Sequence, residues 1–193
     1  YTAIFEKMLS HDLIETKLGV DFFDLKNRLP EGMPVVYSGP IDRYFDYCEG
    51  DLGWRTIDIE LEVAATPDYQ GTAIMNYADE AVPYTRLIEF RHFNPERDHR
   101  SDKTLIGREY SRFARRIDDP YYPIDTRLDQ STYRRYRARA GQERTVHFGG
   151  RLGTYRYLDM HQAIGAALKA FETVFEPYFE GKLDTVAKQP DGF

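Results

Sequence analysis

The feature that most constrains the fold is a strand pattern in the middle of the chain. From Arg55 to Val63, apolar side chains alternate with polar ones, which is the period of a β-strand with two different faces. Further strand-like segments follow after short turns, at 72–77, 85–91 and 104–110. Strands that succeed one another through short turns pair antiparallel. The sequence therefore predicts an antiparallel or mixed sheet, in an α+β or α/β protein.

Helical periodicity appears on both sides of this sheet. Apolar spacing predicts an opening helix around Ile4, a helix over about 128–140, and a last helix from Asp159 towards Pro177. Proline lacks an N–H group and should end or kink that last helix. Shorter elements are also expected, namely strands at 13–18, 35–37 and 144–148 and a frayed tail over 184–193. The sheet should thus be flanked by helices.

Composition excludes several classes of protein. The chain has 193 residues and a net charge of −6, which disfavours general nucleic-acid binding. We interpret the arginine-rich run 133–139 as the solvated face of a helix, because Tyr133, Tyr136 and Ala140 keep helical spacing. No apolar run approaches the ~20 residues that span a bilayer. The lone Cys48 permits no internal disulfide and fits the cytoplasm. No metal site is predicted, because the histidines show no ligand spacing.

The segment 146–164 combines a strand, a glycine turn, a polar aromatic loop and a helix start. Gly149 and Gly150 lack a Cβ, so the backbone there can turn sharply or approach a ligand closely. The helix that starts near Asp159 directs the positive end of its dipole towards the loop. Arg151 lies in the same loop, with two tyrosines. The pattern indicates a phosphorylated or nucleotide-like ligand, although an ordinary strand-to-helix turn would look similar.

Two other segments suggest binding chemistry. A Gly39-Pro40 turn follows the apolar strand 35–37, and such a turn lets the backbone approach a ligand. Arg86 shares one strand face with Ile88 and Phe90. A cation on such a face needs a partner, because an unpaired buried charge is costly. That partner is either one of the carboxylates of the chain or a ligand diphosphate, whose oxygens a guanidinium matches.

Four runs together resemble the C-terminal half of bacterial UDP-galactopyranose mutases, namely 35–46, 84–93, 119–123 and 146–164. The resemblance implies a diphosphate-holding, catalytic role for Arg86 and a place beside the reaction centre for Asp159, which is also a candidate helix N-cap. Further residues match family positions that contact the substrate, namely Asn76, Tyr122 and Tyr157. Others match positions that line FAD, namely Gly39, Pro40, Arg55, Arg151, Asp159 and Met160.

The resemblance implies an isomerase that interconverts UDP-galactopyranose and UDP-galactofuranose by covalent catalysis with reduced FAD. It further implies UDP-galactose as substrate, a homo-oligomer and a cytoplasmic location. The family's Gly-x-Gly-x-x-Gly motif does not occur in the chain, so we expect a fragment of an FAD-binding Rossmann-type flavoenzyme. Segments 1–50 and 126–180 would belong to the FAD-binding layer, 51–125 to the substrate-side sheet and 181–193 to a tail. Alone, the chain should bind no FAD tightly, lack activity and self-associate.

Two alternatives belong to other classes of protein. A flavin oxidoreductase of the amine-oxidase type would share the sheet and the last helix, but it would not need Arg86, Tyr122 and Tyr157 as a diphosphate clamp. An inert folded fragment, or an interaction module, would need none of these contacts. Binding of UDP separates the first alternative from a mutase, and the intact mass of the native protein tests the second.

Overall fold

The computed structural model describes residues 1–97 and 101–187, in two compact units, residues 1–34 and residues 35–193. The helices are α1 Thr2–Leu9, α2 Phe22–Leu25, α3 Ile41–Tyr44, α4 Arg127–Ala140, α5 Gly150–Gly153, α6 Met160–Ala170 and α7 Glu176–Phe179. The strands are β1 Val35–Tyr37, β2 Trp54–Ala64, β3 Ile74–Asn76, β4 Arg86–Glu89, β5 Thr104–Phe113, β6 Tyr122–Pro123 and β7 Val146–Phe148. Mixed α/β content is therefore confirmed.

The first unit contains α1 and α2 and no strand among its residues. The predicted strand at 13–18 is wrong: the segment follows a turn in which the Ile14 N–H donates to the His11 carbonyl at 2.8 Å. An alternating pattern makes a strand only where a neighbouring strand accepts its hydrogen bonds. The helix α2 begins at a side-chain cap, because Asp21 accepts a hydrogen bond from the Phe23 N–H at 3.0 Å.

The predicted antiparallel sheet is the main element of the second unit. Its five strands lie in the order β3-β4-β5-β2-β6, and all neighbours are antiparallel. The longest pairing runs from Arg55 opposite Phe113 to Ala64 opposite Thr104. The strand expected at 85–91 ends earlier, at Glu89, because a tight helical turn occupies Phe90–Phe93. The short strands β1 and β7 pair separately and in parallel.

The two faces of β2 differ in chemistry. On one face its carboxylates meet side chains of β5: Asp58 pairs with Arg112 at 2.6 Å, and Glu62 with Arg108 at 2.5 Å. The other face carries apolar residues, and Leu61 and Val63 are 62% and 64% exposed there. We call these the charged face and the apolar face of the sheet. Exposed apolar surface favours association. This agrees with the self-association expected from the sequence, which stays a prediction.

Helix α4 confirms the helix predicted at 128–140. It begins with a capping box, in which Thr126 Oγ1 accepts from the Asp129 N–H at 3.2 Å and the Asp129 carboxylate accepts from the Thr126 N–H at 2.9 Å. Tyr136 is fully buried, whereas the exposed Arg139 pairs with Glu49 at 2.5 Å. The arginine-rich run is therefore a solvated, ion-paired helix face.

The C-terminal helix continues past the proline that was expected to end or kink it. Helix α6 widens into a π-helical stretch at Phe171–Phe175 and then resumes as α7. Pro177 lies in the first turn of α7, directly after the π-helical stretch. A π-helical bulge is a common way for a helix to absorb a local disruption of its hydrogen bonds.

No helix in the described ranges is both long enough and apolar enough to cross a bilayer.

The segment before the end of the chain is packed, contrary to the predicted fraying from residue 184. Val186 is fully buried, and its N–H donates to the Arg144 carbonyl at 3.0 Å. Its carbonyl oxygen lies 3.2 Å from Nδ1 of His147, a buried residue of β7. Backbone and imidazole therefore fasten this segment to β7. Residues 188–193, the rest of the predicted tail, lie outside the described residues.

Buried His147 should make folding stability depend on pH. Burial lowers the pKa of His147, although its hydrogen bond to the Val186 carbonyl opposes the shift. The unfolded chain therefore binds a proton at higher pH than the folded one. This contribution to stability is complete above the unfolded pKa of about 6.5 and is lost as the pH falls below it, by up to about 1.4 kcal/mol per pH unit.

Urea unfolding at pH 7.5 and 5.5 measures this dependence. In the His147→Asn variant the pH-dependent part of the free energy of unfolding should shrink, because the amide retains a donor and does not titrate. His161→Asn, at an exposed position, is the matched control and should keep the wild-type pH dependence. Equal pH dependence in wild type and His147→Asn would contradict the prediction.

Candidate functional site

Three polar residues lie side by side on β3, β4 and β5. Two of them were predicted from the sequence, and the third, Glu109, is identified by the structure. Asn76 stands opposite Arg86, and Arg86 stands opposite Glu109. Arg86 Nε donates to Asn76 Oδ1 at 3.1 Å, and Arg86 Nη1 lies 3.4 Å from Glu109 Oε2. The carboxylate partner considered from the sequence therefore exists, in the buried Glu109. We call these three residues the clamp row.

The guanidinium of the clamp row remains available to a ligand. The side chain of Arg86 is 36% exposed, against 9% for Glu109. Its Nη2 makes no hydrogen bond to any part of the chain that the structure describes. A cation that is oriented on two sides and open on the third can accept an anion without first reorganising. Glu109 thus positions Arg86 and does not occupy all of its donors.

Arg55 and Tyr122 lie at the other end of the same sheet face. They stand opposite each other on β2 and β6. Arg55 is held by Ser111, whose Oγ accepts from Nε and Nη2 at 3.1 and 2.9 Å, and its Cζ lies 4.8 Å from the centre of the Phe113 ring. Side chains four residues apart on a strand share a face, and Ile59 stands opposite Glu109. Arg55, Tyr122 and the clamp row therefore share the apolar face.

Tyr122 and Tyr157, predicted from distant segments, are brought into contact. Their rings stack with centroids 5.7 Å apart and planes 18° apart. The Cζ atom of Arg151 lies 5.4 Å from the first ring centre and 4.6 Å from the second, within the range of a cation–π contact. We call Tyr122, Arg151 and Tyr157 the tyrosine stack. The structure thereby joins the loop 119–123 to the loop 154–159.

Arg151 also fixes the backbone of both loops. Its Nη1 donates to the Tyr121 carbonyl at 2.9 Å, and its Nη2 donates to the Leu158 carbonyl at 2.6 Å. These bonds are structural, and the cofactor contact that the resemblance implies for Arg151 stays a prediction. In this chain the guanidinium orients the two tyrosines, because it binds the loop beside each ring.

Asp159 is the N-cap of α6, as the sequence suggested. Its N–H donates to Gln162 Oε1 at 2.8 Å. The nearby Asp159 carboxylate raises the pKa of Tyr157, because it favours the protonated hydroxyl. Met160, the first residue of α6, is 47% exposed. The predicted reaction-centre residue therefore adjoins the tyrosine stack at a helix start.

The two glycine turns meet at the carboxyl ends of the parallel strands β1 and β7. The Gly149 N–H donates to the Tyr37 carbonyl at 3.0 Å. Gly150 has φ +70°, and a Cβ on Gly153 would lie 2.9 Å from the Tyr37 carbonyl oxygen. The turn at Gly39 and Pro40 comes directly after β1. We call this the glycine crossing; α/β proteins bind ligands at such carboxyl ends.

Sequence reasoning missed Glu109 and Ser111. Both are polar residues of β5 that stand opposite apolar residues of β2, Ile59 and Ile57. A polar residue on an apolar face is a functional signal, but here it appears only once the strand pairing is known. The residues that were predicted from the sequence form three groups. These are the clamp row, the tyrosine stack with Arg55 and Asp159, and the glycine crossing.

These features together define a class of protein. The chain is a mixed α/β protein in which arginine, tyrosine and amide groups gather on one sheet face. Tight glycine turns lie at the ends of two parallel strands. Guanidinium and phenol donors suit phosphate oxygens, and strand-end glycine turns suit a nucleotide.

Comparison with known proteins gives the family. Residues 1–157 match the family model of UDP-galactopyranose mutase, so the chain belongs to the UDP-galactopyranose mutase family. It is 40% identical over 169 residues to a probable UDP-galactopyranose mutase of Klebsiella pneumoniae, an alignment that covers 88% of this chain and 43% of that protein. It is 38% identical to the dTDP-fucopyranose mutase of Escherichia coli, over 88% of this chain and 45% of the relative.

A more distant relative shows the same coverage. The UDP-galactopyranose mutase of Mycoplasma pneumoniae is 30% identical, over 91% of this chain and 47% of its own length. The chain thus spans less than half the length of the curated relatives it matches. All three relatives carry the name of a mutase, and none is named as an oxidoreductase.

Proposed function

We propose that the chain is the substrate-holding part of an enzyme that interconverts UDP-galactopyranose and UDP-galactofuranose. The observation that carries the proposal is the clamp row: Arg86 is oriented by Asn76 and Glu109 and keeps its outer edge exposed. Tyr122 lies on the same sheet face and stacks on Tyr157. A ligand that lies across this face would meet a guanidinium at one end and phenol hydroxyls at the other, as the diphosphate of a nucleotide sugar requires.

The chain's part in the reaction is to hold the leaving group. A change of ring size requires the bond between the sugar and UDP to break and to form again. Arg86, Tyr122 and Tyr157 would bind the diphosphate by charge and hydrogen bonds while it is detached. Retention of UDP beside the sugar makes its return effectively intramolecular. Ordered donors of this kind stabilise the charge that develops on the departing oxygen.

The residues present fit one end of an FAD molecule. The glycine crossing has no room for a Cβ at Gly153, and α6 begins beside it with Asp159 as N-cap. A helix start and closely packed glycine backbone suit the electron-rich edge of a flavin ring. The chain has no Gly-x-Gly-x-x-Gly turn for the pyrophosphate. When bound, reduced FAD would supply the nucleophile that takes the sugar from UDP.

Incubation of the complete gene product with each candidate nucleotide sugar tests the proposal. After reduction, the protein should convert UDP-galactopyranose to the furanose, detected by chromatography of the products. dTDP-fucopyranose is the second substrate, since a relative of similar identity is named for it. Turnover of dTDP-fucopyranose alone would show that the substrate carries a different sugar and a different base from those proposed. Turnover of neither would contradict the proposed function.

Conservative changes in the tyrosine stack should give modest, coupled losses. Tyr122→Phe and Tyr157→Phe each keep the stacked ring and remove one hydroxyl, so each should cost about 0.5–1.5 kcal/mol of transition-state stabilisation. If both hydroxyls serve one diphosphate, the double variant should lose less than the sum of the single losses. Steady-state kinetics of the complete gene product measures this.

A tyrosine away from the stack provides the control. Tyr133→Phe removes a hydroxyl from a helix α4 residue whose ring contacts Tyr155, with centroids 5.7 Å apart, and should leave turnover unchanged. Strict additivity of the Tyr122 and Tyr157 effects would show that the two hydroxyls act on different groups.

A further inference from the structure

A group of metal-ligand side chains lies on the charged face of the sheet. Asp68 belongs to the loop between β2 and β3, Glu89 is the last residue of β4, and His92 follows in the helical turn after β4. We call them the triad. Arg86 and Glu89 are three residues apart on one strand, so their side chains point to opposite faces. The triad is therefore separate from the clamp row.

Two of the distances within the triad match those between neighbouring ligands of one metal ion. His92 Nε2 lies 3.2 Å from Asp68 Oδ1 and 3.4 Å from Glu89 Oε2. One donor atom from each residue lies within 4.8 Å of the other two. In a tetrahedral zinc site with bonds of about 2.0–2.2 Å, neighbouring ligand atoms are roughly 3.3–3.6 Å apart. A cation could therefore replace the imidazole proton with little movement of the side chains.

The carboxylate of Glu89 is buried and held by backbone hydrogen bonds. Glu89 is fully buried. The N–H groups of Tyr69 and Gln70 donate to its carboxylate at 2.9–3.1 Å. These bonds use only part of the acceptor capacity of a carboxylate. A buried carboxylate needs a compensating partner, and a cation held between it and the imidazole of His92 would be one.

One further buried oxygen atom adjoins the triad. Thr104 is 4% exposed and lies two residues before Ile106, which stands opposite Glu89, so the side chains of Thr104 and Glu89 share a face of the sheet. The Oγ1 atom of Thr104 has no hydrogen-bond partner among the described residues. Buried polar atoms are nearly always satisfied, and a water molecule bound to a cation at the triad would satisfy this one.

We propose that Asp68, Glu89 and His92 bind one divalent transition-metal ion of the zinc type, with water completing the coordination. Two carboxylates and a neutral imidazole carry a charge of −2, which the cation balances. Imidazole combined with carboxylate favours zinc over magnesium or calcium. The ion would fasten the loop 65–73 to the end of β4. The role of the ion would be structural. It would hold the loop from which β3 begins, and β3 carries Asn76 of the clamp row.

Metal titration of the purified chain tests the proposal. After treatment with EDTA and dialysis, isothermal titration with Zn²⁺ should show one equivalent bound, and Zn²⁺ should raise the melting temperature. Co²⁺ in place of Zn²⁺ should give the visible absorption bands of a tetrahedral site. Mg²⁺ at the same concentration should do neither. A single carboxylate–imidazole cluster predicts one class of site, whereas scattered surface histidines would give several weak ones.

Three variants decide which residues hold the ion. His92→Gln should weaken Zn²⁺ binding by at least about tenfold and remove the Co²⁺ bands. Asp68→Asn should weaken it as well, and it should still fold, because Asp68 is exposed and asparagine still accepts the Gly71 N–H, now 2.7 Å from Asp68 Oδ1. His161→Gln, at an exposed position far along the chain, should bind Zn²⁺ like wild type.

Either of two results would overturn the proposal. If the wild-type chain binds no equivalent of Zn²⁺, His92 is a neighbour of two carboxylates and no metal ligand. If His92→Gln and Asp68→Asn both bind Zn²⁺ as wild type does, the ion lies elsewhere. Circular dichroism of each variant separates loss of binding from loss of fold, and Asp68→Asn decides the matter if His92→Gln does not fold.

Discussion

Replacement of Arg86 by alanine should weaken UDP binding by roughly 10- to 150-fold and sharply reduce turnover in the complete gene product. The charge-assisted contact it would make with a diphosphate contributes about 1.5–3 kcal/mol. The change also leaves the buried Glu109 without its cationic neighbour. Titration of UDP against wild type and variant, followed by tryptophan fluorescence or calorimetry, measures the effect.

The matched control is an arginine on the other face of the same sheet. Arg108 lies on β5 opposite Leu87 and pairs with Glu62 at 2.5 Å, so Arg108→Ala removes a sheet cation and its ion pair without touching the clamp row. It should bind UDP as wild type does. Equal UDP affinity in wild type and Arg86→Ala would remove Arg86 from the site, whereas equal losses in both variants would point to a general effect on the sheet.

Replacement of Gly153 by alanine should lower the free energy of unfolding by about 1–3 kcal/mol, the usual cost of overpacking. An added Cβ would lie 2.9 Å from the Tyr37 carbonyl oxygen and 3.5 Å from the Phe148 carbonyl carbon. Both are backbone atoms of the paired strands β1 and β7, so neither can move aside like the end of a flexible side chain. Urea denaturation of the purified chain gives the difference.

A second helical glycine provides the opposite expectation. Gly165 lies inside α6, and a Cβ there would meet nothing within 4 Å. Gly165→Ala should therefore stabilise the chain by up to about 1 kcal/mol, because alanine has the higher helix propensity. A Gly153→Ala variant as stable as wild type would show that the glycine crossing is looser than its contacts indicate.

Local patterns predicted the central sheet but not the pairing of distant segments. The alternation of β2 and the short turns that follow it are visible within one stretch of sequence. In contrast, β1 and β7 are three residues each and are separated in the sequence by the whole five-stranded sheet and by α4. Nothing local says that Val35 meets Val146. The segment 13–18 is the opposite case. Its pattern alternates as in a strand, but it forms no strand, because no neighbouring strand of the first unit pairs with it.

The same contrast between local patterns and distant contacts holds for the residues of the site. Arg86, Tyr122, Tyr157 and Asp159 were predicted because they lie in runs that resemble a family. Glu109 was missed, because its role depends on standing opposite Arg86 across two strands. The triad was missed for a similar reason: Asp68 joins Glu89 and His92 only when the loop before β3 folds back on β4. Residue spacing reveals ligands on one element, not ligands gathered by a loop.

The ion pairs on the charged face have a consequence beyond their small individual energies. They fix which residue of β2 stands beside which residue of β5. A slip of one position would send Arg55 to the wrong side of the sheet and bring carboxylates to the surface where UDP is expected to lie. Arg112 with Asp58 and Arg108 with Glu62 therefore reinforce the register that the backbone ladder of β2 and β5 sets. Loss of both pairs together should show as misalignment of the site, whereas loss of one pair, as in Arg108→Ala, should leave the register unchanged.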